Sequence, residues 1–315
     1  MIPMSTRAYY SVLLSGIRYI KRSASMISGG QASSFAVIQQ AHKLEKGLSI
    51  RSPRKLWGFD NAKKLVDFIA KEESEENKDE FSIHIGKDVL AAYLAHKEQV
   101  SETDHDEREK LADLKAYAAA KLGPFTSEDR YGGTIRLHKE DVLVDEEAVA
   151  PLFLKRHSVR DYADTPVDRE KLEKAISLAL RAPSACNRQP TQIYVISGDD
   201  RVKIGSDNSY HADKYLILTG EMNAFSLPEI NDWVVSTSVF AAYLTLALHA
   251  EGIGSCVFRK DIVRESKYND AIRKLCGIPE NEQIILEIAI GNYKDEFNVP
   301  VSYRREAKDI VHYID

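Results

Sequence analysis

Residues 182–190 read APSACNRQP, a Ser, a Cys, an Asn, an Arg and a Gln gathered inside one turn. The stretch holds no His and no carboxylate, so it lacks an evident acid, base or metal cage. It offers short hydrogen-bond donors and acceptors instead. A second dense patch, KRHSVRDY (155–162), sets Arg156, Ser158 and Arg160 at a two-residue period with His157 beside them. The planar fork of arginine donates two parallel bonds, which suits a phosphate. Alone, R-x-S-x-R describes a kinase recognition site or a surface basic turn just as well. SYRREAKDIV (302–311) adds Arg304 and Arg305. GIGSC (252–256) puts two glycines before a strand, where backbone either approaches a flat ligand or simply closes a helix.

These patches need elements to hold them, and the hydrophobic pattern supplies candidates. VAPLFLKRHSVRDY (149–162) reads as helical. REKLEKAISLALRA (169–182) is a helix with Asp168 as its cap and an apolar stripe through Leu172, Ile176, Ala179 and Leu180. TQIYVISG (191–198), KYLILTG (214–220), SCVF (255–258) and QIILEIAIGNY (283–293) are strand-like runs bounded by turn residues. The stretch 233–251, with Asp232 to cap it and Gly252 to close it, is apolar nearly all round and so buried on most sides, as at a subunit interface. Strands interleaved with helices predict a layered αβα core.

Before residue 145 the texture is different and mainly helical. FAVIQQAHKLEKGL (35–48) stops near Gly47, and NAKKLVDFIA (61–70) follows an Asn cap. IGKDVLAAYLAHKEQV (85–100) and REKLADLKAYAAAKLG (108–123) form a hairpin ending at Gly123-Pro124. His42 and Glu45 lie one turn apart, which describes a solvated ion pair better than a metal site. DHDERE (104–109) lacks the glycine and spaced glutamate of a calcium loop and reads as an acidic helix start. The fold class is α+β, with residues 1–145 as a helical extension and 146–315 as the αβα unit.

Bulk properties exclude more than they assign. A net charge of −5 makes no case for nucleic acid. Cys186, Cys256 and Cys276 show no C-x-x-C spacing, which reads as free thiols in a reducing, cytoplasmic setting. The runs 8–17 and 233–248 are short for a bilayer span, so a soluble protein is expected. The N-terminal stretch, with Arg7, Arg18, Lys21 and Arg22 and no acid before Glu45, suits a docking arm or a peripheral membrane contact.

Taken in order, the motifs KRHSVRDYADTPV, ISLALRAPSACNRQPTQIYVIS, HAEGIGSC, LEIAIGNY and SYRREAKDIV resemble the FMN-dependent nitroreductase family. The resemblance runs from about residue 150 to 311, roughly half the chain, and implies a three-layer αβα fold around a mixed, largely antiparallel sheet. It implies an FMN-dependent enzyme that takes hydride from NADH or NADPH and reduces an electron-poor acceptor such as a nitro compound, quinone or enone. It also implies a homodimer with the flavin at the interface.

By position, the resemblance assigns Arg156, His157 and Ser158 to the phosphate and ribityl chain, and Arg160 to the pyrimidine edge. Pro183, Ser184, Ala185, Asn187 and Gln189 become the turn that borders the partner's flavin. Ser302, standing where a lysine is common, and Arg304 become a C-terminal phosphate clamp. Gly254 and Ser255 fall beside the reactive ring. The segment from Pro190 to Asp232 is short where many relatives insert helices, leaving Asp207 or Asn208 to supply an edge contact. Arg259 stands near the position facing the flavin N5. Cys186 reads as a small packing residue. Hydride chemistry belongs to the cofactor, which accounts for a turn rich in hydrogen bonds and free of acids. A flavin-binding assembly module with little turnover, and a flavin-fragmenting branch, are the other readings.

Overall fold

The computed structural model describes residues 10, 13–14, 16–17, 20–21, 33–51, 54–100, 104–125, 127–128, 131–258 and 267–314. The expectation of an amphipathic N-terminal helix falls largely outside the described residues, and that for Arg259 wholly outside them.

In the extension, α1 (Ser33–Ser49), α2 (Phe59–Ser74), α3 (Glu80–Val100) and α4 (His105–Leu122) pack together. Val37, Ile38, Ala41 and Leu44 of α1 meet Leu65, Val66 and Ile69 of α2 and Val89, Leu90 and Tyr93 of α3 in one apolar core. The spacing is one buried stripe per helix. α1 stops near Gly47, as expected, running two residues past it to Ser49, so that glycine is not itself the cap. It makes room for the Trp57 ring, where an added Cβ would lie 2.0 Å from a ring carbon. Asn61 does not cap α2 either; the N-cap is Gly58, in a left-handed conformation. Asp104 caps α4, accepting from the Asp106 and Glu107 amides at 3.0 and 3.3 Å. Gly123 (φ 64°) ends that helix, as its sequence suggests.

The second half carries α5 (Glu146–Leu154), α6 (Arg169–Ala179), β1 (Thr191–Ser197), α7 (Gly198–Lys203), β2 (Lys214–Glu221), α8 (Asp232–Ala250), β3 (Ile253–Phe258), α9 (Lys267–Cys276) and β4 (Glu282–Asn292). The strand order is β1-β2-β4-β3, and every named pair is antiparallel. The mixed character reduces to one parallel bridge, Ser158 with Ser255. That bridge also corrects the helical reading of 149–162. The helix ends at Leu154, and the chain then runs extended along β3, with the Val159 amide donating to the Ser255 carbonyl at 3.0 Å. Asp168 caps α6 as expected. Asn231 rather than Asp232 is the N-cap of α8.

One sheet face packs on α6 and α8 through Leu216, Leu218, Trp233, Phe240, Leu244 and Ile288. The other is aromatic, with Tyr162, Tyr215 and Tyr268 around Ile217 and Ile272. α8 is apolar all round yet buried on one side only: Val235 and Tyr243 stand out at 58% and 43% exposure. At 19 residues α8 is long and apolar enough to cross a bilayer, but half of it is packed into this core. Tyr162 anchors the extended segment. Its hydroxyl donates to the Val159 and Ala289 carbonyls at 2.7 and 3.1 Å.

Gly291 is what makes room for that ring: a Cβ there would sit 2.5 Å from Tyr162 Cγ. Gly291→Ala is therefore expected to destabilise the fold by about 1–3 kcal/mol through overpacking. Urea denaturation measures it, and an unchanged midpoint refutes this account of Tyr162.

Candidate functional site

The two sequence patches take different forms. Residues 155–160 lie along the edge of β3, where a two-residue period places Arg156, Ser158 and Arg160 on one side. Val159, of opposite parity, is buried; Arg156 and Ser158 are half-buried, and His157 and Arg160 are exposed. The Arg160 guanidinium reaches back to the Ser158 carbonyl at 3.4 Å. Behind this edge, His249 at the end of α8 shares a hydrogen bond with the Tyr293 hydroxyl at 3.0 Å. Burial, then the charge of Arg156, hold the His249 imidazole below its usual pKa. Burial also pushes the Cys256 thiol up, against the opposing pull of Arg160 and Arg156. The segment is thus a cationic edge next to neutral, partly desolvated groups.

The turn at Pro183–Gln189 is built by its own polar atoms. The Ser184 hydroxyl accepts from the Gln189 amide at 3.0 Å, and the Asn187 amide donates to the Ser184 carbonyl at 3.0 Å. The Ala185 amide donates to Ser236 Oγ of α8 at 3.3 Å. Cys186, Asn187 and Gln189 all adopt positive φ, near 50°. That conformation costs a non-glycine residue roughly 1–2 kcal/mol.

Arg188 holds the strained turn from below. Its side chain is fully buried. Nε donates to the Ala185 carbonyl at 3.1 Å and Nη1 to the Ala224 carbonyl at 2.8 Å. Both terminal nitrogens reach the Glu229 carboxylate, and the guanidinium lies 4.3 Å from the Phe225 ring centre. Bonding from Arg188, opposed by partial burial and aided by Ser226, draws the Glu229 pKa down to about 2. With Arg188 pointing inward, Asn187 faces solvent and Gln189 is half-buried. In sequence Arg188 is one more hydrogen-bonding side chain of the turn, and nothing there shows this inward role. Its partner lies 41 residues away, so no local pattern marks it.

Other candidates are placed differently. Asn208 is committed to its own loop: Nδ2 donates to the Ala212 carbonyl at 3.1 Å, and Oδ1 accepts from the Ala212 amide and the Tyr215 hydroxyl at 2.9 and 2.7 Å. Asp207 likewise accepts from Ser209. A Cβ on Gly254 would be tight against Tyr162 and Tyr293, at 3.3 Å each, so packing accounts for that glycine. Ser255 is buried under the Ser158 bridge. Ser302 (φ 44°) and Arg304 are exposed, with the Arg304 guanidinium on the Ser302 carbonyl. Among the described residues, no hydrogen bond or salt bridge joins them to the 156–160 edge or to the 183–189 turn. Nor do three or more His, Cys, Asp or Glu cluster as a metal site would require.

The chain is similar to known proteins. The Nitroreductase family model matches residues 154–216. A putative NADH dehydrogenase/NAD(P)H nitroreductase of Archaeoglobus fulgidus is 29% identical over 173 residues, 53% of this chain and 97% of that protein. A nitrobenzene nitroreductase of Ectopseudomonas oleovorans is 29% identical over 122 residues, 38% of this chain and 53% of its own length. Among solved structures, a nitroreductase family protein of Clostridium difficile 630 aligns at 25% identity and TM-score 0.44, over 51% of this chain and 95% of that one. Residues 154–216, within the α+β half of the chain, are thus nitroreductase-like in sequence, and a helical N-terminal extension precedes them.

Two outcomes follow. Arg188→Met leaves Glu229 without its partner and is expected to cost about 3–5 kcal/mol in denaturant titration. Adding Glu229→Gln should recover part of that loss, and no recovery would mean the pair does not act as a unit. The pKa of His249 is lower in the fold than its unfolded value of roughly 6.5, so the unfolded chain binds more protons. Stability from His249 is present above that pH and lost as pH falls toward the folded value. A His249→Gln variant should show a flatter acid limb in thermal melts between pH 7 and 5.

Proposed function

We propose that the C-terminal half binds FMN and that the chain is an NAD(P)H-dependent flavin oxidoreductase acting on electron-poor organic acceptors. The observation that carries this reading is the presence, in one half of the chain, of a cationic β3 edge and a turn that directs the Asn187 amide outward. The donor chemistry fits the cofactor. Arg156 and Ser158 supply a fork and a hydroxyl on one side for the phosphate. Asn187 and Gln189 supply donors and acceptors for the rim of a flat heterocycle, with Pro183, Ser184 and Ala185 as its apolar and polar border. His157, Arg160 and Ser255 flank the same edge. Asn208 and Gly254 drop out of the set, because their surroundings already account for them.

When bound, the flavin would supply the hydride-transfer chemistry between NAD(P)H and an electron-poor acceptor. The protein's part is to bind and orient. Arg156 and Ser158 on the β3 edge would hold the phosphate end, and the rigid turn with Asn187 and Gln189 would hold the ring by hydrogen bonds that move no proton.

The reading includes a homodimer, with the turn of one protomer bordering the flavin of its partner. The exposed apolar stripe of α8 through Val235 and Tyr243 supports it, as do Val301, Tyr303, Ile310 and Tyr313 of the exposed C-terminal segment. Such surface is seldom left in water by a monomer. In that arrangement Ser302 and Arg304 are free to reach the partner's phosphate. The division near residue 145 follows the exposed stretch 134–148, which separates the extension's core from the sheet's. α1 crosses that division and packs on the turn itself.

Purified protein should be yellow or become so with added FMN; a colourless protein that takes up none would refute the proposal. Arg156→Ala should weaken FMN binding about tenfold or more, since a hydrogen bond to a charged group contributes about 1.5–3 kcal/mol. Fluorescence titration of FMN measures it, and equal affinity in the variant would move the phosphate elsewhere.

A further inference from the structure

Residues 54–58 lie between α1 and α2, and buried side chains fix the backbone there and in the first turn of α2. The Glu107 carboxylate accepts the Leu56 amide at 2.8 Å and is itself held by Lys97 Nζ at 3.1 and 2.9 Å. Lys97 is 1% exposed and surrounded by the rings of Trp57, Phe59 and Tyr93. The Tyr93 hydroxyl donates to the Trp57 carbonyl at 2.6 Å. Gln40 donates to the main-chain and side-chain oxygens of Asn61 at 3.0 and 2.9 Å. A buried ion pair adds little net stability over apolar packing, but it fixes geometry when its spare hydrogen bonds are used. Here they hold a loop.

Outward, that loop walls a groove of roughly 640 Å³. Arg54, Lys55, Lys64 and Lys110 line it, with Asp60 as its carboxylate. Lys55 is already paired with Asp104 and Asp106, at 3.0 and 3.5 Å. Arg54, Lys64 and Lys110 make no salt bridge among the described residues. The first turn of α2 opens on the same groove, and no side chain caps it. In a chain of net charge −5, three unpaired cations around one concavity repel each other, and a polyanion between them relieves that repulsion.

We propose that this groove is a binding site for a phosphate-bearing polyanion of the diphosphate class. The fork of Arg54 suits one phosphate, and Lys64 and Lys110 act as point charges on the rest. With Lys55 turned to Asp104 and Asp106, Arg54, Lys64 and Lys110 are the cations left to face a ligand, and three separate donors suit the two phosphates of a diphosphate better than a single phosphate. The first-turn amides of α2 add to a field the side chains already set. The site lies in the extension and does not depend on the flavin reading.

Titration calorimetry of the full chain with inorganic pyrophosphate tests it. The expected result is one pyrophosphate per chain, bound more tightly than phosphate and weakened by salt. The exposed pair Lys64→Gln with Lys110→Gln should lower that affinity at least about tenfold, with the thermal midpoint unchanged. Arg156→Ala should bind pyrophosphate as the parent does, which separates this groove from any flavin phosphate site. Equal affinity in the double lysine variant, or unsaturable binding that does not distinguish pyrophosphate from phosphate, would overturn the proposal. Vesicles of phosphatidylglycerol distinguish the source of the phosphate. Displacement of bound vesicles by pyrophosphate supports the groove, and vesicle binding by a chain that takes up no pyrophosphate overturns it.

Discussion

Buried ion pairs hold the loops of this protein to its cores. Lys97–Glu107 fixes the Leu56 amide. Arg188–Glu229 fixes the Ala185 and Ala224 carbonyls and the Ser226 amide. Arg201–Glu287 sits among Tyr215, Tyr268 and Phe258, and Arg201 also donates to the Asp207 carbonyl at 2.8 Å. Desolvating two charges is expensive, and their mutual attraction offsets it only when the remaining lone pairs and protons are used. In the first two pairs the remaining bonds go largely to loop backbone; in the third they are split between the Asp207 carbonyl and the Tyr268 hydroxyl, which also reaches Glu287. The apolar cores supply stability, and the ion pairs choose which conformation of each loop is kept.

The 183–189 turn shows why such a choice is needed. Three non-glycine residues with φ near 50° are a conformation that an unrestrained loop would leave. Arg188 cannot follow the turn into another shape without stranding its own charge and that of Glu229. The strain and the lock are therefore parts of one arrangement. Its effect is to direct Asn187 outward while the residue next to it points into the core.

Much of this was legible in the sequence. Runs rich in Ile, Val, Leu and Tyr between turn residues mark all four strands within a residue or two, because a strand between two packed layers must be apolar. Asp104, Asp168 and Gly123 announce helix ends because capping is local chemistry. Two caps, Asn61 and Asp232, were misplaced by one to three residues, and the larger failures were non-local. Residues 155–162 read as helix, and pairing with β3 makes them extended. The polar helix α9 passed unnoticed because its buried Tyr268 and Ile272 contribute only a sparse stripe. In the candidate site, the residue types of both patches were readable from the resemblance. The inward path of Arg188, the self-sufficiency of Asn208 and the demand of Tyr162 for two glycines were not, since each depends on groups distant in the chain.

Helix α1 ties the extension to the rest. Gly47, near its C-terminal end, seats Trp57 at the cationic groove. Phe35, near its N-terminal end, packs on the same core as Ala185. Seventeen residues at 1.5 Å each make a rod of roughly 25 Å. A helix is stiff along its axis, and one end of this rod is keyed to a loop that buried charges hold still. Its other end cannot drift from the turn without breaking contacts in both halves. The extension is thus a structural part of the frame around residues 183–189, and the placement of that turn is set by both halves of the chain.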